Sequence, residues 1–288
     1  MPQEESIGHI LETYQSIEIT EHYIYKNLAK SIKDPDNRAI LEQIADDELR
    51  HAEGWKKYTQ QKIKPNRWDI FKYTLISRLF GFTFGIKLME RGEEKAQGNY
   101  AQLKGKIPEI ETWVHDEEIH EQKLIGMLDE ERLRYAGSVV LGLNDALVEL
   151  TGALAGLTLA LRDVKLIALS GLITGIAASL SMAASEYLST RSEDTQKHPV
   201  RAAIYTGIAY IITVTLLVLP YLLIPNEFID LAIALATAVI IIAIFNYYIS
   251  VAKDEPFKER FIEMAGLSLG VATFSFIIGY FIRLWLGI

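Results

Sequence analysis

Two segments of the sequence repeat one spacing of glutamate, tyrosine and histidine. Each copy begins as Glu-x6-Tyr and continues farther along the chain as Glu-x-x-His. The first copy consists of Glu18, Tyr25, Glu48 and His51, and the second copy consists of Glu93, Tyr100, Glu117 and His120. A glutamate and a histidine three residues apart project from one face of a helix, so both side chains can reach the same metal pair. One Glu-x-x-His arises easily on a charged helix, but two copies with the same preceding spacing predict a metal site.

This residue set fits the chemistry of a dinuclear carboxylate centre. One glutamate from each of two helices, plus Glu-x-x-His from each of two others, is the ligand set of such bundles. Carboxylates combined with two imidazoles suit iron or manganese. We therefore predict a pair of iron ions, or manganese ions, held by Glu18, Glu48, His51, Glu93, Glu117 and His120.

Three more glutamates are candidates for extra or substitute ligands. Glu21 and Glu90 lie three residues from a predicted ligand, and therefore on its helix face. Glu94 is only a sequence neighbour of a predicted ligand. Tyr25 and Tyr100 are expected to hydrogen-bond to ligands or to carry an electron, with packing inside the bundle as the alternative.

A second set of chemically active residues lies in the apolar second half of the chain. Asp145 and Glu149 are four residues apart, and so are Met182 and Glu186. Ionisable groups inside a bilayer are costly, and they usually face a cavity or a transported ion. Carboxylates and a thioether could together hold a divalent transition metal, so we predict that these four residues line a transport pathway. The alternative is that Glu186 lies at the membrane surface and Met182 belongs to the apolar core.

Five segments are apolar enough to cross a bilayer, which takes about 20 helical residues. They cover residues 136–161, 166–188, 202–224, 231–252 and 264–282. With the N-terminus inside, eight lysines and arginines flank the inner ends and three flank the outer ends. Such an excess marks the cytoplasmic side of a membrane protein. We therefore expect a cytoplasmic N-terminal domain and a C-terminus outside.

Four helices are predicted before residue 135 from apolar periodicity and helix breakers. They cover residues 5–32, 36–62, 81–105 and 108–135. Short connections make an up-and-down four-helix bundle the expected fold. Residues 66–80 combine aromatic and cationic side chains, which predicts a helix on the inner membrane surface. A bundle helix or a dimer contact is the alternative for this segment.

The overall composition excludes several classes of protein. The formal net charge is -8 and there is no basic stripe, so nucleic acid is excluded as a partner. Cysteine is absent, which excludes disulfides, thiolate metal sites and iron–sulfur clusters. The first residues lack the basic and apolar regions of a secretory signal. The prediction is an all-α chain with a four-helix metal-binding bundle at 1–134 and a transmembrane domain at 135–288.

The first two predicted spans resemble the vacuolar iron transporter family. The resemblance rests on LNDALV from residue 143 and on ASLSMAASEYL from residue 178. It implies a five-span homodimer that moves ferrous iron, and often manganese, out of the cytosol in exchange for protons. Asp145 and Met182 match the aspartate and methionine of that family. Ala146 stands where the family usually has glycine, and Glu149 lies outside its pattern.

The segment before the spans resembles the rubrerythrin/ferritin-like family. This resemblance covers residues 5–130, includes LEQIADDELRHAE from residue 41, and implies the same six ligands. LMERGEE from residue 88 also resembles the membrane-bound ferritin group, in which a ferritin-like domain is fused to a vacuolar-type iron transporter. The acidic cytoplasmic insert of eukaryotic transporters is missing here, so metal capture is expected in the N-terminal domain.

Both halves of the sequence indicate iron. The predicted function is export of ferrous iron or manganese from the cytosol, coupled to protons, with a cytoplasmic domain that captures, senses or oxidises the metal. The alternative is a membrane-anchored oxidase or peroxidase, because dinuclear ferrous sites react with oxygen or peroxide. An iron store is disfavoured, since a bundle tied to a bilayer does not readily form a hollow shell.

Overall fold

The structure, a computed structural model, describes residues 2–97, 107–127, 134–193 and 197–287. It divides into two compact units, Met1–Glu130 and Glu131–Ile288. Within the described residues the chain forms ten helices, five in each unit, and no strand. The predicted all-α class is therefore confirmed.

The helices of the first unit are α1 (Pro2–Ala29), α2 (Pro35–Thr59), α3 (Arg67–Phe80), α4 (Phe82–Gln97) and α5 (Ile110–Gly126). Helix α1 packs along α2, α3 lies against both α1 and α4, and α5 contacts α2. The predicted extensions of the last two helices reach into residues 98–106 and 128–133, which lie outside the described ranges.

Local side-chain chemistry explains where these helices begin and end. The Asp34 carboxylate accepts a hydrogen bond from the backbone N–H of Asn37, which caps α2. Pro35 follows at the first helical position, where its missing N–H costs nothing. Helix α2 ends at Thr59 rather than at the predicted residue 62, because Gln60 adopts a left-handed backbone with φ of 53°. Asn66 caps α3 through the same kind of contact.

Two apolar clusters hold the first unit together. One is built around residues such as Ile24 of α1 and Leu41 of α2. The other is aromatic, and in it Trp55 is fully buried between Tyr14 and Trp113. The ring centroids of Trp55 lie 5.2 Å from Tyr14 and 4.5 Å from Trp113. This aromatic cluster fixes α1, α2 and α5 against one another.

Helix α3 has two different faces. Ile70 and Tyr73 pack against the apolar cluster around Ile24, which attaches the helix to the unit. On the opposite face, Trp68 is 67% exposed and Leu79 is 61% exposed. An apolar face of this size is left uncovered by the described residues of the unit.

The helices of the second unit are α6 (Ala136–Leu161), α7 (Val164–Ser192), α8 (Pro199–Leu223), α9 (Glu227–Lys253) and α10 (Phe257–Leu286). All five are long and apolar enough to cross a membrane, which confirms the number of spans predicted from the sequence. The fourth span begins earlier than predicted, at Glu227 instead of residue 231. Asn226 caps it through the backbone N–H groups of Phe228 and Ile229, so Asp230 lies inside the helix.

The second unit has an apolar core and an apolar outer surface. Leu147 and Leu154 of α6 pack with Tyr210 and Leu217 of α8 in the core. Large aliphatic and aromatic side chains, among them Phe274 of α10, are exposed along the outer faces of the spans. An exterior as apolar as the interior is the expected pattern for helices surrounded by lipid.

Two glycines allow the backbones of neighbouring spans to touch. A Cβ atom at Gly142 would overlap the backbone carbonyl oxygen of Thr206 on α8. A Cβ atom at Gly279 of α10 would overlap the carbonyl oxygen of Gly156 on α6. The first span is therefore in direct backbone contact with the third and the fifth.

Candidate metal centre

Three helices of the first unit bring five of the predicted ligands together. Glu18 comes from α1, Glu48 and His51 come from α2, and Glu117 and His120 come from α5. One ligand atom from each of the first four lies within 4.8 Å of the others. The Nδ1 atom of His120 joins this group, since it lies 3.1 Å from Oε1 of Glu48.

The distances define two neighbouring positions that share two carboxylates. The Nδ1 atom of His51 lies 3.5 Å from one oxygen each of Glu18, Glu48 and Glu117. The other oxygens of Glu48 and Glu117 lie 3.1 Å and 3.8 Å from Nδ1 of His120. Each of these two glutamates thus presents one oxygen to each histidine. Bridging carboxylates of a dinuclear site need this arrangement.

An aspartate carboxylate contacts the Nε2 atom of each histidine, on the side of the ring away from the centre. The Nε2 atom of His51 lies 3.1 Å from Oδ2 of Asp116, and Nε2 of His120 lies 3.1 Å from Oδ2 of Asp47. If each neutral imidazole donates its Nε2–H to this carboxylate, its Nδ1 lone pair is directed at the centre. The ring N–H of Trp55 donates in the same manner to Oε1 of Glu18, over 3.1 Å.

The sequence analysis did not identify these supporting residues. A signal for two of them was present, because an aspartate stands directly before the glutamate in both motifs, which read Asp-Glu-x-x-His. No spacing pattern indicated Trp55, whose contact with Glu18 depends on the packing of α1 against α2.

The buried atoms at the centre fit a bound metal. Within the described part of the chain, Oε2 of Glu18, Oε2 of Glu48 and Nδ1 of His51 are buried without a hydrogen-bond partner. Buried polar atoms are costly unless something satisfies them. Three carboxylates and two imidazoles are hard and borderline ligands that suit iron or manganese. The residues present therefore fit a dinuclear iron or manganese centre.

The carboxylates and imidazoles of the centre shift one another's pKa values. Burial raises the pKa of Glu18 well above its usual value, and the charge of Glu48 adds to this against the opposing contact with His51. Burial would also raise the pKa of Glu48, but the two histidines stabilise its anion and lower the pKa to about 2. Burial lowers the pKa of His120, but Glu117 and Glu48 outweigh it and raise the pKa to about 10. Burial also lowers the pKa of His51, but the neighbouring carboxylates outweigh burial and raise this pKa above its ordinary value.

Several predicted site residues lie outside the described side chains. Glu90, Glu93 and Glu94 belong to α4, but their side chains are not among those described, and Tyr100 lies in a range that the structure leaves out. Tyr25 is buried in the apolar cluster around Ile24.

Glu21 is buried one turn from Glu18, beside a cavity of about 290 Å³. Asn66, Asp69 and Tyr73 also line this cavity. Its polar walls lie next to the helix face that carries Glu18, but Glu18 itself is not among the lining residues.

The predicted membrane residues make two contacts between spans. Oε2 of Glu149 on α6 accepts a hydrogen bond from the Tyr210 hydroxyl on α8, over 2.8 Å. Oε1 of Glu186 on α7 accepts one from the Ser138 hydroxyl on α6, over 2.6 Å, and Glu186 is buried. Asp145 is half-buried, and Met182 packs against the apolar core. In the described part of this unit, acidic and histidine side chains do not form a cluster of three.

Comparison with known proteins adds one finding. The model of the VIT family matches residues 136–198, so a VIT family domain is present over the first two spans and the connection to the third. The matched residues include all four predicted pathway residues and make up less than half of the chain. No curated protein and no solved structure matches the chain.

Proposed function

We propose that the chain exports ferrous iron, or manganese, from the cytosol across a membrane, and that its N-terminal unit captures the ion in a dinuclear centre. The observation that carries this proposal is the position of the VIT family match. It falls on the two spans that contain Asp145, Glu149, Met182 and Glu186. A mere membrane anchor would not need carboxylates within its spans.

The membrane residues support passage of a cation. Glu149 and Asp145 lie one turn apart on α6, and Tyr210 orients the Glu149 carboxylate by a hydrogen bond. Negative charge inside the spans lowers the barrier for a divalent ion in the bilayer. The thioether of Met182, one span away, favours a transition metal over calcium or magnesium.

The N-terminal unit supports capture of the same ion. The metal would be held by carboxylate oxygens of Glu18, Glu48 and Glu117 and by the Nδ1 atoms of His51 and His120. Asp116 and Asp47 keep both imidazoles in the ligating orientation. Bound iron would supply one-electron chemistry with oxygen or peroxide. The connection between α7 and α8 is short, from Ser192 to Pro199, which leaves capture to this unit.

One observation favours a second function, that of a membrane-anchored oxidase or peroxidase. Trp55 donates a hydrogen bond to Glu18 and lies against Tyr14 and Trp113. A row of oxidisable rings beside a dinuclear centre is suited to moving electrons. Oxidation in this unit is compatible with export, although export itself would use iron(II).

The arrangement of the whole chain is part of the same proposal. We place the N-terminal domain (1–134) in the cytoplasm and the C-terminus of the transmembrane domain (135–288) outside, and we propose a homodimer with protons as the coupling ion. The orientation rests on the excess of cationic residues at the inner ends of the spans.

Metal flux into sealed proteoliposomes tests the proposal. We expect Asp145→Ala to abolish flux at every metal concentration, because it removes a charge from within the bilayer. His51→Ala or His120→Ala should reduce flux at low ferrous iron and spare it at saturating iron, since capture raises only the local supply. Glu259→Gln, an exposed position on α10, is the matched control and should be silent.

Two results would contradict this scheme. Loss of maximal flux in the histidine variants would make the dinuclear centre an obligatory part of the pathway. Normal flux for all variants, with loss of oxygen consumption in the histidine variants alone, would favour the oxidase.

A further inference from the structure

We propose that Asp230 is a proton-binding site at the end of the membrane unit opposite the cytoplasmic face. The proposal deepens the proposed function, because it assigns a residue to the coupling proton of the transport cycle. It concerns a carboxylate that neither the dinuclear centre nor the predicted transport pathway uses.

The isolation of Asp230 is the first observation. Its side chain is 0% exposed, although it lies in the first turn of α9. Neither Oδ1 nor Oδ2 has a hydrogen-bond partner within the described residues. A fully buried carboxylate normally has several donors or a cation beside it.

The surroundings of Asp230 are the second observation. Tyr221 of α8, which is almost fully buried, shares a hydrogen bond of 3.0 Å with the Thr158 hydroxyl of α6. Thr158 in turn donates to the backbone carbonyl of Leu154, over 2.6 Å. The two hydroxyls are thus engaged with each other and with the backbone. Neither hydroxyl is hydrogen-bonded to the Asp230 carboxylate, which lies close enough to Tyr221 to act on it electrostatically.

The charged groups near this site leave it without a counter-ion. On α9 itself, Glu227 lies one turn away and adds negative charge. At the end of α6, the Arg162 guanidinium lies over the Phe228 ring, 5.4 Å from its centroid. Arg283 lies in the last turn of α10. None of the described basic residues forms an ion pair with Asp230.

These facts distinguish a proton from a metal ion as the ligand. An unpaired carboxylate anion in an apolar interior is costly, and binding one proton removes the charge. A divalent metal would need several more oxygen or nitrogen ligands than one carboxylate and two engaged hydroxyls supply. The proton is taken up by a carboxylate oxygen from the water on that side, and it returns when the site opens.

Infrared spectroscopy of the full-length protein in membranes tests the site directly. We expect the difference spectrum between wild type and Asp230→Asn at neutral pH to contain the C=O stretch of a protonated carboxyl group. A spectrum with only carboxylate bands would overturn the proposal. Glu227→Gln is the matched control, and it should leave that C=O band in place.

Flux measurements then test the role in coupling. In proteoliposomes with a pH indicator, wild type should move metal and protons in opposite directions. Asp230→Asn should still move metal down its gradient with at least a tenfold smaller proton signal, and Asp230→Glu should restore coupling. Size-exclusion chromatography and circular dichroism establish that each variant is folded.

The outcomes separate this proposal from the proposed function. Coupled proton movement in folded Asp230→Asn, or metal transport by wild type without protons, overturns the role of Asp230 and leaves export standing. Absence of metal flux in wild type overturns export, and the infrared result still decides whether Asp230 binds a proton.

Discussion

The Nε2 atom of His51 on α2 lies 3.1 Å from the Oδ2 atom of Asp116 on α5. The reverse contact, from His120 on α5 to Asp47 on α2, has the same length. Each helix therefore provides one histidine of the candidate metal centre and also a carboxylate that contacts the histidine of the other helix. Because this support is reciprocal, a change at one histidine should affect both proposed metal positions.

Removal of one supporting carboxylate should weaken metal binding without removing a ligand. We expect Asp116→Asn to lower the affinity for manganese or iron by about 10- to 100-fold, the usual effect of losing such a partner. Titration calorimetry of the full-length protein measures this change. Asp46→Asn is the control, because Asp46 is exposed beside the motif and faces solvent. Equal affinities for the two variants would mean that the His51–Asp116 contact does not support ligation.

Loss of a bridging carboxylate should have a larger effect. We expect Glu48→Ala or Glu117→Ala to remove most of the bound metal, since each glutamate contacts both histidines. Elemental analysis of purified protein gives the metal content. Glu118→Ala, an exposed neighbour of Glu117, should keep the wild-type content. Unchanged metal in both bridging variants would refute the assignment of the centre.

Metal binding should release protons. In the metal-free centre, carboxylates raise the pKa of His120 to about 10, so this imidazole carries a proton at neutral pH. A metal ion must displace that proton to reach Nδ1, so affinity should rise as pH rises toward 10. Manganese titrations in buffers of different ionisation enthalpy count the released protons. His115→Ala, an exposed histidine on the same helix, should release as many as wild type. Affinity that is independent of pH would contradict this scheme.

The outer face of α3 should contact lipid. Trp68, Phe71, Leu75 and Leu79 lie at helical spacing on this face and are exposed, with cationic residues beside them. The chain has no cysteine, so Leu75→Cys can carry a single polarity-sensitive fluorophore. In nanodiscs of anionic lipid we expect its emission to indicate an apolar environment, and we expect a weaker effect in zwitterionic lipid.

The cysteine at position 75 also tests the alternative that the outer face of α3 is a dimer contact. A cysteine at the exposed Gln43 on α2 should report water in both lipids. Rapid disulfide cross-linking between two copies at position 75, with no dependence on lipid charge, would instead identify this face as a dimer contact.

Helical periodicity made much of the centre predictable from the sequence. Residues three or four apart share a helix face whatever the tertiary structure, so both Glu-x-x-His pairs could be assigned. The contact between Asp116 and His51 depends on how α2 and α5 face each other, which spacing along the chain does not determine. The same holds for Trp55 on Glu18 and for Tyr210 on Glu149.

The ends of the membrane spans were harder to predict from the sequence than the metal centre. Hydropathy predicts that the fourth span starts after Asp230, because a charged residue is expected at a membrane boundary. The capping contacts of Asn226 instead start the helix four residues earlier. Whether a carboxylate at such a boundary faces water or is buried depends on the neighbouring helices. In this case those include α6, which is distant in sequence.

The glycine contacts between spans determine which parts of the membrane unit can move. Where Gly142 meets Thr206 and Gly156 meets Gly279, the backbones touch, and a side chain in place of the glycine would force the spans apart. We therefore expect α6, α8 and α10 to stay packed together as a frame during the proposed transport. Helix α9 contains no glycine, and it packs into the core through side chains such as Ala238 and Ile242. We expect α9 to move relative to this frame, and Asp230 would move with it.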